Sequence, residues 1–529
     1  MRNFLIGASM LAMLAACGGE DEPSAKTEST VAQATLQPFK AKDYGQTSEA
    51  LAALNLAESG AGLIKFDSSK TADGGAIFKN VVIDSEDGEG KLIAETLSFD
   101  GLQLTDAGPM FDRMILSNAS LEFPQEDDTT GSFTISEISV VEPNQQAAAF
   151  FTALVQGEDL PKDVKFSEWA FDQMALKGLA LDVVSTEEGD AGHVKMSLNE
   201  LSMTSLAEAL AGGTLLSGLK MDLDLPQSAD LDFPLKGSLN LDEMSFGNLQ
   251  MQLVDAAIAA EGDPQEIMAL NTKLVESYTS PIEQGFDNSV LKGLSLDLSG
   301  ISFSMSEAVT KVERNKDGVA TRVSQPKTTL KFATDAEGGQ LGAQAATFLG
   351  MMGYESLELS GNAETTYDPE TKETRYDAYT LDIKDALKLD MKGGIFNLLD
   401  VLKVAANSES GQPDFAALQQ VALGDIEIAI EDKSFMERAF KLAAQQQGVE
   451  PEMLRSMATG GLAIATLGAA EQGIDPNLVN TAVGALTTFI EQGGTLTLAI
   501  NPEEPLVFSE IEDPSVLTVE KLGFTASTK

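Results

Sequence analysis

From about residue 60 the chain alternates apolar and polar positions with a period of two, in short runs. Leu97, Phe99, Leu102 and Leu104 show it, as do Leu121 with Phe123, Phe133 with Ile135, Met196 with Leu198, and Leu219 with Met221 and Leu223. This is the pattern of half-buried strands. Turn-forming stretches separate the runs: Asp87-Gly88-Glu89-Gly90, Asp127 to Gly131, Glu187 to Gly192, Asn315 to Gly318 and Asp368-Pro369-Glu370. Such turns join neighbours as hairpins, so a mostly antiparallel sheet is expected.

One strand motif recurs. Leu176-Lys177-Gly178-Leu179-Ala180-Leu181-Asp182 returns as Leu291-Lys292-Gly293-Leu294-Ser295-Leu296-Asp297, with a looser copy from Leu235 to Asp242. Self-similarity at this spacing predicts a repeated supersecondary unit, and the Gly predicts a bulge or bend inside the strand. Helical patterns interrupt the strands at Gln145 to Val155, Asp263 to Tyr278, Leu341 to Met352 and Asp414 to Gln420. Three more follow at Phe435 to Gln446, Pro451 to Ala470 and Pro476 to Glu491, before a last strand at Leu496, Leu498 and Ile500. The fold class expected is α+β: large curved, mostly antiparallel β-sheets with helices packed on one face, and a helix-rich C-terminal region.

The N-terminus carries a separate signal. Arg2 precedes an uncharged apolar stretch from Phe4 to Ala16, which is the length of a secretory signal and too short to span a bilayer. It ends in Leu14-Ala15-Ala16-Cys17, and Cys17 is the only cysteine of the chain. These four residues resemble the bacterial lipobox, the motif of lipoproteins cut by signal peptidase II. The resemblance implies that the thiol of Cys17 carries diacylglycerol, that cleavage leaves Cys17 first, and that acyl chains such as palmitate anchor the product. Gly18-Gly19 lacks the Asp that marks inner-membrane retention in that family, so outer-membrane placement is expected. From Gly18 to Thr47 the sequence is rich in Glu, Ser, Thr, Ala and Gln, which reads as a disordered tether. The organisation expected is a signal peptide over 1–16, the lipidated Cys and tether over 17–47, a β-rich domain with repeats over 48–310, and an α+β domain over 311–529.

Composition narrows the chemistry. With 82 Asp+Glu against 35 Lys+Arg, the net charge of −47 argues against nucleic acid and against electrostatic docking on anionic lipid. One Cys and one His exclude an internal disulfide, a Cys-rich zinc site and any site needing two imidazoles. No metal or cofactor is expected and no catalytic residue is identified. Asp222 and Asp224 read as a solvated strand face, His193 as a turn or strand-edge residue, Trp169 as a core anchor. The uncharged segment Ser456 to Ala470, with Gly460, Gly461 and Gly468, reads as a buried, closely packed helix or the wall of an apolar cavity. Phe348 with Met351-Met352, and Phe150-Phe151, read as core.

The leucine-alternating strands around Leu-Lys-Gly-Leu, over roughly residues 60 to 300, resemble the AsmA-type repetitive β proteins of the bacterial envelope. That resemblance implies a long curved sheet with an apolar inner face and a link to lipid movement. Three functional classes stand open. The first is a membrane-anchored structural or interaction module whose acidic surface meets a protein partner. The second is a protein that binds or transfers lipid, or another apolar ligand, between sheet and helices. The third is a hydrolase assembled from scattered residues.

Overall fold

The computed structural model describes residues 42–72, 74–84, 91–122, 129–157, 164–185, 192–226, 234–259, 274–406, 418–471, 473–511 and 517–529. The lipobox residues Leu14, Ala15, Ala16 and Cys17, the tether up to residue 41, and most of the helices expected at Asp263 to Tyr278 and Asp414 to Gln420 lie outside the described residues. The described chain divides into two compact units, one within 42–259 and 285–299, the other within 274–284 and 300–529.

The first unit begins with helix α1 (Thr47–Ala53) and strands β1 (Ile64–Lys65), β2 (Ser68–Ala72), β3 (Gly75–Asp84) and β4 (Lys91–Asp100). A small hairpin, β5 (Gln103–Thr105) with β6 (Gly108–Met110), stands apart from the sheet. Then come β7 (Arg113–Glu122), β8 (Thr129–Val141), α2 (Gln145–Gln156), β9 (Phe171–Ser185), β10 (Gly192–Ala207), β11 (Leu210–Leu225), β12 (Leu235–Gln250), α3 (Met251–Ala259) and β13 (Asn288–Leu298). From β3 onward each sheet strand pairs antiparallel with the next, β4 passing directly to β7. This is the meander that the hairpin turns predict.

The core of this unit lies where α1 and α2 meet β3 to β8. Ala50, Leu51 and Leu54 from the first helix, and Ala147, Ala148, Phe151 and Val155 from the second, share one cluster with Phe78, Leu97, Phe99, Met114 and Leu116. Each Leu, Val, Phe or Met side chain among them contributes about 1.5–3 kcal/mol by leaving water. Helix α2 is started by Asn144, whose side chain accepts from the Ala147 N–H, and stopped by Gly157 in the left-handed conformation. Trp169 is the expected anchor: it is buried, with Phe150, Phe151 and Phe166 at ring-centroid distances of 5.1, 6.0 and 4.6 Å.

The second unit has β14 (Ile301–Arg314), β15 (Ala320–Thr334), α4 (Gln340–Met352), β16 (Ser356–Asp368), β17 (Glu373–Ile383), β18 (Leu387–Phe396), α5 (Leu398–Ala406) and β19 (Ala422–Asp432). Helices α6 (Phe435–Gln447), α7 (Pro451–Glu471) and α8 (Pro476–Gln492) follow, then β20 (Gly494–Ile500), β21 (Leu506–Val507), α9 (Phe508–Ile511), α10 (Val519–Leu522) and β22 (Thr525–Thr528). Its strands again pair antiparallel in chain order, and β20 lies between β19 and β22. The two turns read from sequence in this unit form as expected, while those at Asp87 to Gly90, Asp127 to Gly131 and Glu187 to Gly192 lie wholly or partly outside the described residues. Asn315 Oδ1 accepts from the N–H groups of Asp317 and Val319 between β14 and β15, and Asp368 Oδ1 accepts from Glu370 N–H between β16 and β17.

Candidate functional site

Directly opposed residues on neighbouring strands project from the same face of a sheet, so the registers show what that face is made of. In the first unit one row reads Phe78, Leu97, Leu116, Ile138, Leu176, Leu201, Leu216, Met244 and Leu291, on nine successive strands from β3 to β13. A second row on the same strands reads Ile83, Leu92, Leu121, Phe133, Leu181, Met196, Met221, Leu239 and Leu296. No polar residue interrupts either row. The first is buried under α1 and α2 at its β3 to β7 end. In the second, Leu181, Met221, Leu239 and Leu296 are half-buried.

The residues that build the rows are five positions apart on every strand, an odd spacing that strict alternation forbids on one face. A transverse line between the rows resolves this. Asn80, Asn118, Gly178, Gly218 and Gly293, on every second strand, have φ of 52, 49, 61, 65 and 64°. The strands between them present Glu95, Ser136, Asn199 and Asp242 to these positions. Asn118 Nδ2 donates to Glu95 Oε2 at 2.6 Å. A Cβ on Gly178, Gly218 or Gly293 would overlap the side chain of Ser136, Asn199 or Asp242. Each left-handed residue interrupts the pleat, and the opposed strand breaks its own at the same level, so the register runs on unchanged: Thr96 faces Ser117 and Ala94 faces Ala119. In β3 the buried positions are accordingly Ala76 and Phe78 before the line and Val81 and Ile83 after it. The Gly of Leu-Lys-Gly-Leu therefore bends the strand and re-phases it.

This assignment corrects one reading of the repeat. Gly178 and Gly293 lie on the line, but Gly237 of the looser copy does not: its backbone is not left-handed, and it pairs with Leu298 near the start of β12. The third glycine of the line is Gly218, in Ser217-Gly218-Leu219.

The second unit repeats the two-faced design. One face carries Leu381, Leu389, Ile430 and Leu496 in a row, beside Tyr379, Met391, Ile428 and Leu498. Helix α8 covers its β20 end, where Ala485 and Phe489 pack on Leu496. Toward β17 and β18 the row is half-buried and Tyr379 is exposed. The opposite face is ionic. Lys433 pairs with Asp382 at 2.6 Å, Lys392 with Glu427 at 3.1 Å, and Arg375 with Asp425 through two hydrogen bonds of 2.7 Å. Those two bonds hold the Asp425 carboxyl below the usual carboxylate range.

The polar residues singled out in sequence form no reaction centre. His193 Nε2 lies 2.8 Å from Asp182 Oδ1, with Lys195 at 3.7 Å from the same carboxylate, on an exposed strand end. Asp222, Asp224, Lys236 and Asp297 share a shallow groove with it, and Lys236 Nζ lies 2.7 Å from Asp224. Ser238 lines the same groove, but among the described residues the side-chain hydrogen bond of His193 runs to Asp182 and none joins it to Ser238, so no nucleophile–base pair is formed there. No group of three metal-ligating side chains occurs among the described residues.

Two apolar segments sit differently from expectation. Phe348 and Met351 of α4 are 61% and 51% exposed, and Met453, Met457 and Ile464 of α7 are 52%, 63% and 71% exposed. Nothing lies within 4 Å of a Cβ placed on Gly460, Gly461 or Gly468. The uncharged segment from Ser456 is thus an exposed helix face and not a buried one. No helix among the described residues is long and apolar enough to cross a membrane.

A family model described as "Uncharacterized protein" matches residues 380–529, from β17 to the end of the chain. No curated protein and no solved structure matches the chain.

Proposed function

We propose that the protein is a lipoprotein of the bacterial envelope, tied to the outer membrane by acyl chains on Cys17, whose apolar sheet faces hold lipid tails between strands and the helices on that face. The observation that supports this reading is the pair of uninterrupted apolar rows across nine strands, the second of them half-buried at Leu181, Met221, Leu239 and Leu296. Water in contact with such a row is unfavourable, and an alkyl chain lying along it removes that contact at roughly 25 cal/mol per Å². A row needs no polar group to bind an alkyl chain. The pattern resemblance to AsmA-type proteins points the same way.

The test is extraction of lipid from the purified full-length protein followed by mass spectrometry. Co-purifying lipid is expected, and Met221→Asp with Leu239→Asp should remove most of it. A protein that carries none and takes up no fluorescent fatty acid overturns the reading. The anchor is tested separately: Cys17→Ser should release the protein from membranes and abolish labelling by palmitate, and continued labelling would refute it.

A second reading, a structural or interaction module, has support from the acid-rich groove at Asp222, Asp224 and Asp297 on a chain of net charge −47. It calls for a basic envelope protein captured at low salt and lost at high salt.

A further inference from the structure

Helix α1 has little stability of its own. It is seven residues long, and its N-cap Gln46 makes no side-chain capping bond. Yet Ala50 and Leu51, with Leu54 just past its end, belong to the cluster that closes the first apolar row at its β3 to β7 end. On the N-terminal side the helix is held by the stretch Lys42 to Gln46. A Cβ on Gly74 would meet the Lys42 carbonyl and the Asp43 Cα, so this stretch lies directly on the turn between β2 and β3. Its hold on a buried group is the hydrogen bond from the Tyr44 hydroxyl to Asp112 Oδ1, at 3.0 Å. The Tyr44 ring is 37% exposed, so the hydroxyl and not core packing makes the contact. Lys42 comes only to 4.0 Å from Glu142, at the surface, where such a pair adds little.

Asp112 makes this clasp a poised one. It is 7% exposed, and its second oxygen, Oδ2, is buried without a hydrogen-bond partner. That oxygen lies against Gly101, where a Cβ would overlap it. A buried carboxylate oxygen left unpaired is unfavourable, and water satisfies it once Tyr44 and its neighbours lift from the carboxylate. Closing therefore buries Leu51 and Leu54, while opening hydrates Asp112. The two effects oppose each other, which brings an open state within reach by local unfolding of α1 while the strands stay paired. We infer that α1 is a gate over the first apolar row, closed by the Tyr44–Asp112 clasp, and that lipid tails reach the β3 to β7 end of that row when it lifts. The inference rests on the lipid-holding reading above and adds how that site opens.

The experiment uses the full chain and reads amide exchange at Ala50 and Leu54, whose N–H groups bond to the Gln46 and Ala50 carbonyls. Tyr44→Phe removes the hydrogen bond that Asp112 Oδ1 accepts. Exchange at both amides should quicken about tenfold, while Leu97 and Leu116 exchange as in the wild type. A fluorescent fatty acid should load to a similar extent but several-fold faster. Adding Asp112→Val takes away the carboxylate that draws water, and should bring exchange at α1 back toward the wild-type rate. Exchange at α1 unchanged by Tyr44→Phe, or quickened equally at Leu97 and Leu116, overturns the proposal. So does a double variant that opens as readily as Tyr44→Phe alone. Quickened exchange with unchanged loading overturns the gate and leaves the lipid reading standing. A wild type that carries no lipid and loads none overturns that reading, and the gate with it.

Discussion

Gly178 on β9 faces Ser136 on β8 with no room for a methyl group between them: a Cβ on the glycine would overlap the serine hydroxyl. The same relation joins Gly218 to Asn199 and Gly293 to Asp242. Together with Asn80 and Asn118 these residues form one line across the first unit's sheet. Each strand on that line keeps its leucines on one face on both sides of it. The apolar rows, and with them the proposed lipid-holding surface, depend on this shared interruption. Were a single strand to lose it, half of its apolar positions would turn to the opposite face.

Replacing Gly178 with Ala should therefore destabilise the first unit by about 2–3 kcal/mol, through left-handed strain of about 1–2 kcal/mol and the overlap with Ser136. Adding Ser136→Gly should recover the overlap part and leave the strain. Denaturant unfolding of the two single variants and the double variant measures this. A Gly178→Ala protein as stable as wild type would show that the line is not under constraint.

Much of this was legible in the alternating leucines, which predict antiparallel strands, and in Leu176-Lys177-Gly178-Leu179, which predicts a bend. The line itself was not. Four of its nine members are Glu95, Ser136, Asn199 and Asp242, ordinary polar residues whose role comes only from what faces them across the ladder. Gly237 looked equivalent to Gly178 because its local sequence is similar, but the pairing of β12 puts Asp242 at that level. The α7 segment misled for a different reason. Loss of charge reports that a surface avoids water, and does not say whether it is covered by its own chain. The lipobox is the opposite case, read wholly from sequence at residues beyond the described ones.

Trp169 is the only tryptophan and sits inside the first unit's aromatic cluster, 5% exposed. Its emission should be blue-shifted in the folded protein and report unfolding of that unit alone. Phe151→Ala, which removes a ring 6.0 Å away, should cost about 3–5 kcal/mol and shift the fluorescence-detected transition to lower denaturant. A red emission maximum before any denaturant is added would contradict the packing.

Asp255 of α3 accepts hydrogen bonds from the backbone N–H groups of Phe166 and Ser167, at 2.6 and 3.1 Å, and so ties that helix to the segment that carries Trp169. Asp255→Ala leaves two N–H groups without their acceptor, at a cost of about 1–3 kcal/mol. Hydrogen exchange at Phe166 and Ser167 should quicken in the variant; unchanged exchange there would mean that the contact is dispensable.

Arg375 and Asp425 make a pH-dependent contact on the second unit's ionic face. The doubly bonded guanidinium depresses the Asp425 carboxyl, so the folded protein holds this group ionised where the unfolded chain has begun to protonate it. The stability that follows is fully present above the unfolded value, about 3.9 for Asp, and is lost as pH falls through the lower folded value. Both partners are more than a third exposed and Arg375 keeps Glu373 at 3.2 Å, so Asp425→Asn should cost only about 1 kcal/mol at neutral pH. The difference between wild type and variant should shrink once the pH passes below the ordinary carboxylate range, because the wild-type carboxyl is then becoming neutral as well. Urea unfolding of both proteins across that range reads the difference directly. A gap that stays constant into strong acid would assign the cost to shape and not to charge.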